Sequence, residues 1–239
     1  MFPGSASTLA ATDPDLAGIL EGFLAEVKAH SSLDPVTRFV TLLGALIACQ
    51  ALNPYRATLG AALDAGLTPV QAKEVVHQAV PYVGLARIAA YIEATNEVRV
   101  ARGVALPLPS QSTTTPETRM DKGYAVQAEI IGRERIEGLY ANAPADEMHI
   151  QRHLSANCFG DTYTRAGLDL PLRELLTLSI LAAHGGCDPQ VRGHVAANLN
   201  VGNDRALMIA VITQLLPFIG YPRTLNALVA IDAVAPAPG

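Results

Sequence analysis

The sequence has no tryptophan, seven tyrosines and five phenylalanines in 239 residues. Charged residues make up only 16% of it, whereas 50% are hydrophobic, a balance typical of a chain that buries a sizeable core. The net charge is −5, and no stripe of clustered Lys and Arg occurs of the kind that nucleic-acid binding requires. This charge pattern argues against a nucleic-acid partner.

Long apolar runs and a secretory leader are also missing. No run of about 20 residues is apolar without interruption, so we expect no membrane span. The start, Met1 to Ser5, lacks the basic and apolar regions of a signal peptide. The cysteines Cys49, Cys158 and Cys187 are too few and too widely spaced for a disulfide framework. We therefore expect a cytoplasmic protein.

No alternating strand pattern is present, and the abundant Ala and Leu favour helices. An apolar face recurs at helical spacing over residues 16–27, which predicts a first amphipathic helix. Asp34-Pro35 reads as a cap and first-turn proline for a buried helix through Ala51. Asn53-Pro54 opens the next helix, which ends at Gly66, and Thr68-Pro69 opens another.

An internal repeat emerges when the sequence is shifted by 136 residues. The pairs that coincide in this one register include Thr41 with Thr177, Gly66 with Gly202, Gln78 with Gln214, Gly84 with Gly220, and Arg87 with Arg223. This predicts one fold unit used twice, over residues 33–102 and 168–234. A segment rich in Pro, Ser and Thr separates the copies. We expect domains at 1–104 and 121–239, joined by a linker at 105–120.

Four segments of the second half carry a family resemblance: Asp161–Leu168, Arg173–Leu178, Gly185–Val195 and Gln214–Pro222. Together they resemble the carboxymuconolactone decarboxylase family, which shares its fold with alkylhydroperoxidase D-like proteins. The first half matches more weakly, through Gly66, Gln78, Tyr82 and Gly84. The resemblance implies an all-α fold, here a tandem duplication of an alkylhydroperoxidase D-like helical domain. It also implies a homo-oligomer, with the tandem chain forming a homotrimer that resembles a hexamer.

The same resemblance implies a catalytic set of Glu174, Cys187 and His194. The peroxidase branch of the superfamily carries a second cysteine where this chain has Gln190, so a local dithiol cycle is missing. No metal site or cofactor is expected. Arg165, whose guanidinium can bind a carboxylate through two hydrogen bonds, is a candidate substrate-binding residue. Gln190 and Gln214 complete the expected substrate-binding set.

The residues themselves leave the chemistry open. Cys187 precedes Asp188-Pro189 and so lies at a predicted helix N-terminus, where the exposed amides favour a thiolate. His194 follows two turns later, and Glu174 reaches it from the preceding helix. An imidazole beside a thiol activates a nucleophile, whereas an imidazole beside a carboxylate is a general base.

Three functions follow from these residues. The first is cofactor-free acid–base catalysis by His194 and Glu174 on a small carboxylated or lactone substrate. The second is a thiol peroxidase or reductase acting through Cys187, with an external thiol or Cys158 as the resolving group. The third is a non-catalytic helical assembly protein.

Only the second half has the residues that the two catalytic hypotheses require. The first half has Arg38, Ala51 and Thr58 where the second has Glu174, Cys187 and His194. We therefore expect the first domain to act as a packing partner for the site of the second.

Overall fold

The computed structural model describes residues 5–237 of the chain, with the side chains of residues 8–237. This range forms α-helices and one π-helical segment, and it contains no β-strand. The helices are α1 (Ser5–Thr12), α2 (Pro14–Ala29), α3 (Pro35–Ala48), α4 (Leu52–Asp64), α5 (Pro69–Val83), α6 (Leu85–Val100), α7 (Arg119–Ile131), α8 (Arg133–Asn142), α9 (Met148–His153), α10 (Leu170–His184), α11 (Asp188–Asn200) and α12 (Arg205–Val234). The π-helical segment, Leu154–Tyr163, follows α9 directly. The all-α prediction is confirmed.

The predicted caps Asp34 and Thr68 are confirmed, but α4 begins at Leu52 instead of at Asn53-Pro54. Its N-cap is Ala51, which makes no side-chain hydrogen bond, so the prediction of Asn53 as the cap was wrong. The side chain of Asp34 accepts hydrogen bonds from two amides of the first turn of α3, at 2.9 and 3.0 Å. Thr68 forms a capping box with Gln71 at the start of α5. However, α3 ends at Ala48, three residues before the predicted end. Gln50 adopts a positive φ of 57°, and the Ala51 amide turns back to the Leu46 carbonyl, closing the helix.

The duplication is visible in the backbone as well as in the sequence. Gly84 ends α5 with φ 78° and ψ 158°, and Gly220 interrupts α12 with φ 76° and ψ 167°. These two glycines are 136 residues apart, and each joins two consecutive helices with nearly the same φ and ψ. Helices α3 to α6 therefore correspond to α10, α11 and the two halves of α12. The predicted tandem duplication is confirmed.

Helix α12 is long and apolar enough to cross a membrane by length and composition alone. The break at Gly220 divides it into two pieces, each shorter than the stretch of about 20 residues that crosses a bilayer. These pieces pack against α2, α3, α10 and α11.

The two repeats pack face to face through α3 and α10 around one continuous core. Gln78 of the first repeat donates to the Thr177 hydroxyl of the second at 3.1 Å. In return, Gln214 of the second repeat donates to the Thr41 hydroxyl of the first at 2.5 Å. Since Gln78 matches Gln214 and Thr41 matches Thr177, the repeats are related by a pseudo-twofold axis between them.

The segment between the repeats adds a further layer. Residues 101–118 contain no helix, and α7 begins at Arg119, so this helix includes the last two residues of the predicted linker at 105–120. Helix α7 then packs closely on the π-helical segment: a Cβ on Gly123 would lie 2.0 Å from the Ser155 carbonyl oxygen. This pair contacts α11 and α5, and a small apolar cluster that includes Tyr163 and Ala197 joins them. It thereby builds a wall beside α11.

Candidate active site

Glu174 and His194 form a hydrogen-bonded pair between α10 and α11. The Glu174 side chain is fully buried, and the His194 side chain is 15% exposed. The distance from His194 Nδ1 to Glu174 Oε2 is 2.7 Å. Because a carboxylate oxygen only accepts, Nδ1–H of His194 donates to Glu174. Nε2 is therefore the ring nitrogen that is left available for proton exchange.

A tight glycine turn and the hydrogen bonds of Asn198 fix the backbone around this pair. Gly185 and Gly186 have φ values of 72° and 70°, so the turn from α10 to α11 is tight, as the sequence predicts. The buried amide of Asn198 then donates to the carbonyl of His194 at 2.7 Å and to that of Glu174 at 3.2 Å. These bonds hold the two helices in register, which sets the separation of imidazole and carboxylate.

The second carboxylate oxygen of Glu174 is unusual. Oε1 is buried and has no hydrogen-bond partner among the described residues. A buried carboxylate left with one hydrogen bond is poorly solvated, and positive charge on the adjacent ring compensates for that loss. Glu174 is therefore placed to stabilise an imidazolium form of His194 during a proton transfer.

His194 opens onto a surface cavity of about 270 Å³. Its walls come from α7, α8 and α11, and its lining residues are Ile131, Arg135, Leu139, Pro189, Gln190, Gly193, His194 and Ala197. Arg135 makes no ion pair with any residue in the described range, and its Nη2 lies 4.0 Å from where a Cβ of Gly193 would stand. The cavity thus combines an imidazole, an amide and a guanidinium with an apolar floor.

Tyr82 of the first repeat contacts His194 and is hydrogen-bonded to Tyr163 of the π-helical segment. The Tyr82 ring, on α5 of the first repeat, stands edge-on to the His194 ring at a centroid distance of 5.8 Å. Its hydroxyl contacts that of Tyr163 at 2.8 Å, and Tyr163 contacts the Thr177 hydroxyl at 2.9 Å. Burial raises the pKa of both tyrosines well above the ordinary value, so both remain neutral hydroxyls. The first repeat therefore supplies part of the wall of the site.

The cysteines are not arranged as an activated thiol. Cys187 lies at the N-cap of α11, as predicted, but its Sγ contacts the Leu181 carbonyl at 3.3 Å. Burial, and then the charge of Asp188, raise its pKa above the ordinary value. The expected stabilisation of the thiolate is thus wrong, because desolvation and a neighbouring carboxylate outweigh the helix terminus. Cys158 is buried 3.9 Å from the Tyr82 hydroxyl, and burial raises its pKa to about 12.

Two of the predicted substrate-binding residues lie away from this cavity. Arg165 is 9% exposed and holds the carboxylate of Glu74 through Nε and Nη2 at 2.9 to 3.1 Å. Arg173 binds the other side of the same carboxylate at 3.0 Å. Gln214 is the cross-repeat donor to Thr41. The structure therefore brings Glu174, His194 and Gln190 together, whereas Arg165 and Gln214 bond to Glu74 and Thr41 and do not line this cavity.

Sequence reasoning missed Arg135 and Tyr163 as members of this site. Arg135 belongs to a charged stretch on α8 with no motif. Helix α8 packs against α7, and only this tertiary placement brings Arg135 to a cavity that residues of α11 also line. Tyr82 belongs to the weaker first-half resemblance, which was a usable signal. In the first repeat, Arg38 takes the place of Glu174 and donates to the Ser31 carbonyl at 2.7 Å, so that half holds no equivalent pair.

Comparison with known proteins agrees with this architecture. The profile described as the carboxymuconolactone decarboxylase family matches residues 14–97 and 149–233, together more than half of the chain. Over 112 residues, 47% of this chain, the sequence is 26% identical to the 4-carboxymuconolactone decarboxylase of Acinetobacter baylyi, of which it covers 83%. Each matched range covers most of one of the two structural repeats. The chain therefore belongs to the carboxymuconolactone decarboxylase family and carries the family's fold unit twice.

Proposed function

We propose that the second repeat carries out cofactor-free acid–base chemistry on a small carboxylated or lactone-type substrate. The observation that carries this proposal is the Glu174–His194 hydrogen bond of 2.7 Å at the wall of a surface cavity. A buried carboxylate behind an imidazole fixes the tautomer of the ring and stabilises its charged form. The name of the Acinetobacter relative, a decarboxylase of a carboxylated lactone, supports the same class of reaction.

Each polar side chain of the cavity has a role in the proposed reaction. The guanidinium of Arg135 and the amide of Gln190 bind a carboxylate or lactone carbonyl of the substrate at the open side. Loss of carbon dioxide breaks a carbon–carbon bond and leaves its electron pair on the substrate, conjugated with a carbonyl. That pair must receive a proton. His194, protonated and stabilised by Glu174, delivers it from Nε2 and is reprotonated from solvent, since the ring is partly exposed.

The test uses a panel of five-membered lactones bearing a carboxylate, with carbon dioxide release as the readout. We expect His194→Ala to lower kcat by about 10² to 10⁴-fold, the usual contribution of a positioned acid–base group. Glu174→Gln should reduce kcat in the same direction, and Cys187→Ala should retain turnover. His184→Ala is the matched control, because His184 contacts Arg87 at 2.7 Å instead of this cavity. A His194→Ala protein with full turnover would refute the proposal.

The other two hypotheses gain no support from the geometry. A thiol peroxidase needs a reactive Cys187, but the pKa of that thiol is raised, and Gln190 stands where a second cysteine would be. A purely structural role would be favoured by a filled or flattened region around His194, whereas a cavity of about 270 Å³ lies there.

A further inference from the structure

A second cavity, of about 460 Å³, lies in the first repeat and shares no lining residue with the cavity at His194. It is open to solvent and is bounded by α5, α6 and the start of the linker, and its titratable lining residues are Lys73, His77 and Arg99. A volume of this size is within the range of small-molecule sites. The proposed acid–base chemistry makes no use of it.

Arg99 is the residue that distinguishes this cavity from an accidental gap. It is only 4% exposed, yet no carboxylate pairs with it in the described part of the chain. Its Nε donates to the Thr95 carbonyl at 3.1 Å, and its Nη2 donates to the Asn96 side-chain oxygen at 2.9 Å. Buried arginines are normally balanced by an anion, because neutral acceptors compensate only part of the lost hydration. The guanidinium therefore lacks a negative partner.

The rest of the lining fits a singly charged, amphipathic anion. Lys73 adds a second cation, and no Asp or Glu is among the lining residues. His77 contributes no charge at neutral pH, because burial lowers its pKa to about 4. The remaining walls are mainly aliphatic, with Ile92 and Leu106 each 39% exposed at the rim. Apolar walls around one buried cation match a carboxylate attached to an apolar body.

We propose that this cavity is a binding site for an amphipathic monocarboxylate. The carboxylate pairs with Arg99 and is approached by Lys73, while the apolar body lies along the aliphatic side chains of α5, α6 and the linker. The linker segment thereby becomes part of a ligand site in the first repeat. This proposal is independent of the chemistry assigned to His194.

The experiment is isothermal titration calorimetry of the full chain with sodium octanoate, and with 1-octanol as the uncharged probe of the same body. We expect wild type to bind octanoate more tightly than octanol. Arg99→Gln should weaken octanoate binding by about tenfold or more, since a charge-assisted bond is lost, and leave octanol binding nearly unchanged. Arg102→Gln is the matched control, because Arg102 pairs with Asp64 outside the cavity.

Two further variants keep the test decisive. Ile92→Trp adds bulk at the rim of the cavity without touching the core, so it should abolish binding even if Arg99→Gln fails to fold. Arg135→Gln alters only the His194 cavity and should retain the wild-type affinity for octanoate. The proposal is overturned if wild type does not bind octanoate, if octanoate and octanol bind equally, or if Arg135→Gln abolishes binding while Arg99→Gln does not.

Discussion

At the scale of single residues, the partners of each side chain decide its chemistry more than its place in a motif. Glu174 and Glu74 are both fully buried, but their partners differ. Glu174 faces one imidazole and keeps an oxygen without a partner. Glu74 lies between two guanidinium groups, which lower its pKa against the opposing effect of burial. The partners of Glu174 allow it to respond to a proton transfer at His194. The two guanidinium groups keep Glu74 as an anion with a structural role.

Arg135 offers a direct test of substrate binding. Arg135 lines the open cavity, and the hydrogen bond of the His194 side chain is with Glu174 instead of Arg135. Arg135→Gln should therefore raise KM with little change in kcat. Steady-state kinetics on the carboxylated lactone that proves active would show this. Arg133→Gln, on the same helix and outside the lining set, is the control. A fall in kcat with KM unchanged would instead assign Arg135 to the transition state.

The thiol of Cys187 gives a second prediction. Since its pKa is raised, iodoacetamide should modify Cys187 slowly at neutral pH, and the rate should increase only as the pH passes above the ordinary thiol pKa. His194→Ala should leave this profile unchanged. Mass spectrometry of the alkylated peptide, before and after hydrogen peroxide, provides the measurement. Rapid alkylation at pH 7 that peroxide blocks would revive the peroxidase hypothesis.

His77 predicts a pH dependence of stability. Burial, and then the charge of Arg165, lower its pKa from 6.5 to about 4 in the folded protein. As the pH falls from 6.5 to about 4, the unfolded chain binds a proton that the folded chain does not, so stability decreases in this window. The slope should stay below the limit of about 1.4 kcal/mol per pH unit, because His77 is only partly buried.

Urea unfolding at several pH values measures this effect. His77→Gln should flatten the curve between pH 4 and 6.5, and His149→Gln, at an exposed histidine of α9, should not. Identical slopes in wild type and His77→Gln would contradict the assignment.

At the scale of helices, the sequence predicts beginnings better than ends. Asp34 and Thr68 were identified as caps because a cap needs only a side-chain oxygen within reach of the first-turn amides. The end of α3 was misplaced, since Gln50 is not a residue type that signals a positive φ. The π-helical segment that contains Tyr163 was also not predicted. It packs closely against Gly123 of α7 through Ser155, a contact between residues far apart in the sequence that no local pattern contains.

The helix-joining glycines give a matched set of predictions. Gly84→Ala and Gly220→Ala should each cost about 1–2 kcal/mol in the free energy of unfolding, because an L-residue is strained at these positive φ values. Neither added Cβ meets a close neighbour, so the cost is one of backbone conformation and should be similar at both sites. Gly18→Ala in the exposed part of α2 should instead stabilise by about 0.5–1 kcal/mol. Unequal costs at Gly84 and Gly220 would argue against the equivalence of the repeats.

At the scale of the whole molecule, the repeat at a spacing of 136 residues predicts two similar fold units but not how they pack. Gln78 and Gln214 were visible as a matched pair, yet that match could not say that each bonds to the threonine of the other repeat. For the same reason Gln214 was assigned to a substrate. The same glutamine at matching positions of the two repeats indicates a shared role. The two cross-repeat hydrogen bonds show that each glutamine connects its own repeat to the other. Likewise, only the docking of α8 could reveal Arg135.

The surface of the second repeat carries the last prediction. Tyr221, Leu225 and Val229 follow one another at helical spacing on α12 and are 61%, 55% and 62% exposed. On α2, the predicted apolar face is also partly open, with Ile19 67% exposed, and Phe23 of that helix stacks on Tyr221. Several exposed apolar side chains that lie together on one side of a chain are typical of a subunit interface. We propose that this apolar surface is covered by other copies of the chain in a homotrimer.

Leu225→Glu should then convert the oligomer to monomers, because a carboxylate would have to be buried without a partner in the interface. Sedimentation velocity gives the mass of wild type and variant, and circular dichroism shows that the variant keeps its helices. Leu85→Glu is the matched control: Leu85 is 71% exposed on the corresponding helix of the first repeat, which lacks the stripe, since Ala89 and Glu93 occupy the next two positions. A monomeric wild-type protein would contradict the homotrimer. An oligomer that Leu225→Glu leaves intact would move the interface to another face and leave this stripe as exposed apolar surface.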